Sequence, residues 1–80
     1  MAPDIDQERR HLDQADRHIA QVKQHIANQR CMITKLRLAQ QPTDMARSML
    51  EVLEGSLRIF ERHRQLILGN LSAGERDGGT

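Results

Sequence analysis

The sequence predicts an all-α protein: an antiparallel two-helix coiled-coil hairpin that dimerises into a four-helix bundle. Three observations carry this. Ile5, Leu12, Ile19, Ile26 and Ile33 recur every seven residues, and Glu8, Ala15, Val22, Gln29 and Leu36 fall between them at the alternating offset of a coiled-coil seam. A second apolar series comes after a single turn signal at Pro42. That second segment carries more apolar surface than one packing face requires.

The first helix is expected at about residues 4–39. Pro3 precedes Asp4, which is placed to cap, with Gln7 three residues on in a capping-box arrangement. Asp6 and Glu8 suit the positive end of the helix dipole, and Lys35 and Arg37 suit its negative end. The turn is expected at residues 40–43, because Pro42 forces Gln41 out of the helical region and Thr43 is a good cap for a second helix. That helix is expected from 44 to about Leu71. Residues 72–80 have no periodicity and several glycines, and are expected to be a flexible tail. The whole chain of 80 residues is then one domain.

So short a connection makes the helices antiparallel. The second seam is Leu50, Leu53, Leu57, Phe60, Arg64, Ile67 and Leu71. Folding back about Pro42 pairs Leu36 with Leu50, Ile33 with Leu53, Gln29 with Leu57 and Ile26 with Phe60. Further along it pairs Val22 with Arg64, Ile19 with Ile67 and Ala15 with Leu71. The same register brings Arg30 near Glu54 and Lys23 near Glu61.

Met45, Val52, Ile59 and Leu66 form the extra apolar series, with Met49 and Ser56 beside them. A two-fold dimer would cover this stripe, and a helix of a different protein is the competing occupant. His11, His18 and His25 recur directly before the seam residues of the first helix, and His63 falls on the same flank. The expected dimer interface is therefore Met45, Met49, Val52, Ser56, Ile59, His63 and Leu66, with His18 and His25 at its edge.

Chemistry is sparse. Histidines seven apart are separated by about 10.5 Å along a helix, too far for one metal ion. A row of them at an interface offers a pH-sensitive contact as the sharper alternative to a boundary role. No cofactor, metal or catalytic residue is expected, and the chain is not expected to be an enzyme. Cys31 is the only cysteine, which excludes an internal disulfide and suits a cytoplasmic setting. Apolar runs do not exceed three residues, as at Leu66-Ile67-Leu68, so no membrane span is expected. Phe60 is the only aromatic residue, which removes base-stacking platforms. Lys23, Arg30 and Arg37 lie seven apart on one flank of the first helix. They support the alternative function, a dimeric hairpin binding RNA or DNA through its backbone phosphates. The expected acidic partners of Lys23 and Arg30 make that the weaker reading, and protein–protein association the stronger.

The runs Arg17-His18-Ile19-Ala20 and His25-Ile26-Ala27-Asn28-Gln29-Arg30, with Ile33 and Leu36, are similar to a known pattern. So are Pro42-Thr43-Asp44, Leu50-Glu51-Val52-Leu53-Glu54-Gly55-Ser56-Leu57 and His63-Arg64. Over residues 11–68 the chain resembles an uncharacterised family of small helical-hairpin proteins of rhizobia and related alphaproteobacteria. Gln41-Pro42-Thr43-Asp44 stands where that family has a glycine-containing turn. The resemblance implies a helical hairpin and a bacterial origin, and it implies no activity.

Overall fold

The structure, a computed structural model, describes residues 5–78, with side chains described for residues 5–73. It is an antiparallel helical hairpin: α1 spans Ile5–Leu38 and α2 spans Asp44–Gly78. The expected Asp4 cap and the last residues of the expected tail, 79–80, lie outside the described residues. Asp6 and Glu8 occupy the first turn of α1, and Lys35 and Arg37 its last, so both ends of the dipole are matched in charge.

The reversal between the helices is a Schellman motif. The Gln41 amide donates to the Leu36 carbonyl at 2.8 Å and the Gln40 amide donates to the Arg37 carbonyl at 3.0 Å. Gln40 takes the left-handed conformation that closes such a motif, with φ 55°, at a position where glycine is usual. A left-handed residue with a Cβ costs about 1–2 kcal/mol. Replacing Gln40 with glycine is expected to raise unfolding stability by about 0.5–1 kcal/mol, after the extra freedom glycine gives the unfolded chain. Urea denaturation would show this as a higher midpoint with an unchanged slope. Thr43 stands at the N-cap of α2, and its carbonyl accepts from the Arg47 amide at 2.8 Å.

α1 buries Ala15, Ile19, Ile26 and Ile33, so the ladder read from the sequence is the face that meets α2. On α2 the buried residues include Ala46, Ile67 and Leu71. Ala46 belongs to the seam, seven residues before Leu53, and was not among the expected seam residues. Layers counted from Leu50 are therefore displaced by about one helical turn. Ala15 and Leu71 share a cluster, as expected, and Ile67 joins them rather than Ile19, with Leu12 and Ile5 packed against the three. Phe60 lies against His18. Gln29 reaches the Ala46 carbonyl at 3.2 Å rather than the level of Leu57. The first inward-facing residue of α2 is Ala46, one turn before Leu50, from which the expected seam was counted.

Two ion pairs cross the hairpin. Arg30 meets Glu54 at 3.5 Å, as the charge pattern predicts. Arg64, expected opposite Val22, leaves the seam and donates from Nε to Asp16 Oδ1 at 2.6 Å. Its alkyl stem covers the core edge while the guanidinium stays near water. Both pairs are substantially exposed, so each adds at most about 1 kcal/mol. Their value lies more in excluding slipped registers.

α2 continues to Gly78, past the expected end near Leu71. Leu71 is itself buried and secures the last layer, and no proline comes after it to stop the helix. Gly74 lowers helix propensity by about 1 kcal/mol without blocking the backbone hydrogen bonds.

The rod measures 63 × 15 × 14 Å, with a Cα radius of gyration of 18.2 Å. A compact domain of this length would have a radius near 12 Å. No described side chain is fully buried. The hairpin is one layer of packing and no more.

Candidate association surface

Helical geometry sets the second face of α2. Met45, Met49, Val52, Ser56, Ile59, His63 and Leu66 alternate four- and three-residue steps, which is the spacing of a second coiled-coil seam. Residues at this spacing lie along one stripe of α2, about a quarter-turn round from the face that meets α1. The five large apolar residues of the stripe are exposed, from 51% at Met49 to 88% at Met45. Ser56 is half-buried and His63 exposed. Near the turn, Met45, Met49 and Val52 form a shallow apolar depression bordered by Asp44 and Ser48. The hairpin leaves more than half of each of these three residues uncovered.

At the other end, the stripe borders an open groove of about 580 Å³ between the helices. His11 and His18 line it from α1, and His63 and Leu66 from α2, with Phe60 and Ile67 at its floor and Glu8 at its end. The His18 and Phe60 rings stand 5.6 Å apart with their planes tilted by 47°, an aromatic contact that fixes the His18 ring over the core edge. The structure thus brings His18, His63 and Leu66 together with His11, which the expected interface omitted. His63 lies at the level of His11 and His18, where the displaced register would have put it between His18 and His25. His25 is exposed on α1 and does not line this groove.

Met32 is a surface residue that the heptad argument for the interface passed over. It comes after His11, His18 and His25 at the same interval of seven, and it is 50% exposed. A row beginning with three histidines conceals an apolar fourth member; heptad position alone would have found it.

The remaining candidates separate in space. Arg30 is held by Glu54. Lys23 borders a groove with Asp16, Glu61 and Arg64, where the ion pair that forms is Arg64–Asp16. Arg37 lies near the turn with Arg30 and Arg47. Cys31 is exposed. Among the described residues, no three His, Cys, Asp or Glu side chains are gathered so that they could hold one metal ion. No helix among the described residues is long and apolar enough to cross a membrane.

Gly55 and Gly69 lie on α2, fourteen residues apart on one flank of the stripe. A Cβ at Gly55 would meet only the Arg58 guanidinium, at 3.8 Å, and one at Gly69 would meet nothing within 4 Å. Packing of α1 on α2 therefore does not require glycine at either place.

No family model, curated protein or solved structure matches the chain. The resemblance to the alphaproteobacterial hairpin proteins rests on the quoted residues alone.

Proposed function

We propose that this protein is a non-enzymatic association module, cytoplasmic and bacterial, whose α2 stripe is covered by a second copy to make a four-helix bundle. The exposed seam from Met45 to Leu66 carries the reading. Contiguous apolar surface on this scale is rare on monomers and marks an interaction site. A second copy satisfies the need with the same patch twice, as two-fold symmetry requires. The lone Cys31 supports the cytoplasmic setting.

Light scattering at micromolar concentration tests this directly. The expected mass is twice the 9.2 kDa of one chain; a monomer would overturn the homodimer. The nucleic-acid alternative, with Lys23, Arg30 and Arg37 on phosphates, has one of its three cations already engaged by Glu54. It predicts a gel shift with RNA or DNA that weakens steeply with salt. The association reading predicts no such shift.

A further inference from the structure

We propose that the two copies pack antiparallel through α2, with Met49 of each opposite Leu66 of the other, Ser56 opposite Ile59 and His63 opposite Val52. This rests on the homodimer reading and goes beyond it by fixing orientation and register.

The stripe divides into two interleaved series. Met45, Val52, Ile59 and Leu66 are all apolar, while Met49, Ser56 and His63 include both polar members. In a parallel pair each series meets its own copy, so His63 would face His63 and Ser56 would face Ser56 across the two-fold axis. Two imidazoles would then share one desolvated layer, and two small hydroxyls would leave the neighbouring layer underfilled. In an antiparallel pair each series meets the other. Every polar residue then faces an aliphatic one, and the small Ser56 faces the large Ile59. The stated register also engages the whole stripe, from Met45 to beyond Leu66, with its centre near the middle of the exposed seam. Sliding by one heptad toward the turn would leave Leu66 uncovered.

Disulfide trapping tests the orientation in the full chain, in a Cys31→Ser background. With Met49→Cys and Leu66→Cys together, mild oxidation is expected to convert most of the protein to a covalent dimer. Each substitution alone is expected to give less than a tenth of that yield, because residue 49 lies about 25 Å along the axis from its symmetry mate. Efficient cross-linking of the single variants would overturn the proposal in favour of a parallel pair. So would absence of cross-linking in the double variant while light scattering still reports a dimer. A spin label on the native Cys31, which leaves the stripe unaltered, gives a second readout. The antiparallel pair predicts a label separation near 30 Å, and a separation below about 20 Å would overturn it. A wild-type monomer in light scattering would instead sink the homodimer itself.

Discussion

Replacing Val52 and Ile59 together with glutamate is expected to convert the proposed dimer to a 9.2 kDa monomer at micromolar concentration. Both residues are more than half exposed in the hairpin, at 63% and 69%, so the substitutions remove no contact with α1. In the bundle each would lose about 1.5–3 kcal/mol of apolar burial. Two-fold symmetry counts each site twice, for a total above about 6 kcal/mol before the cost of desolvating four carboxylates. That weakens the dissociation constant by more than about four orders of magnitude. Leu38→Glu is the control: Leu38 is 82% exposed and lies off the stripe, so its substitution should leave the mass unchanged. Light scattering distinguishes the two results. If the doubly substituted protein kept its dimeric mass, the stripe would not be the interface.

Ile67→Ala is expected to give the largest loss in the hairpin core. Ile67 is the least exposed described residue, at 4%, and it joins Ala15 and Leu71 in a cluster on which Leu12 and Ile5 pack. A change of this kind costs about 2–5 kcal/mol in a well-packed core. In a chain of this size, a loss near 3 kcal/mol lowers the melting temperature by about 12–24 °C. A circular-dichroism melt at matched concentration measures it, since the proposed association would make the midpoint depend on protein concentration. A shift under 3 °C would mean that the open end of the hairpin contributes little to its stability.

The helices and the inward face of α1 were legible because large aliphatic residues at a strict interval leave one packing solution. The inward face of α2 was legible from Leu53 onward and not at Ala46. Alanine is as common outside a core as inside one, and Leu50 is the first branched aliphatic residue after the turn. Starting the layers there put Gln29 opposite Leu57, whereas it reaches the Ala46 carbonyl; Ala15 and Leu71 still share a cluster, and Arg30 still meets Glu54. The left-handed Gln40 gave no signal, since the glycine that marks such a cap is missing. The composition of Ser72–Gly78 suggested a frayed chain, whereas the helix persists because no residue there forbids it. The stripe on α2 was visible as a surplus of apolar residues. That His11 lines the same groove as His18 and His63 was not legible, because the groove depends on register, which residue types alone fixed poorly.

The tight reversal at Gln40–Thr43 also orders the formation of the hairpin in time. Sequence separation between facing residues is smallest beside the turn and grows steadily toward the open end. Closing the first layer, around Ile33 and Ala46, therefore costs little chain entropy, and each later layer forms next to one already in place. The rod should close like a zip from the reversal outward. During synthesis the opening turns of α1 emerge first, yet they are the last to be gripped, waiting for Ile67 and Leu71 at the far end of the chain.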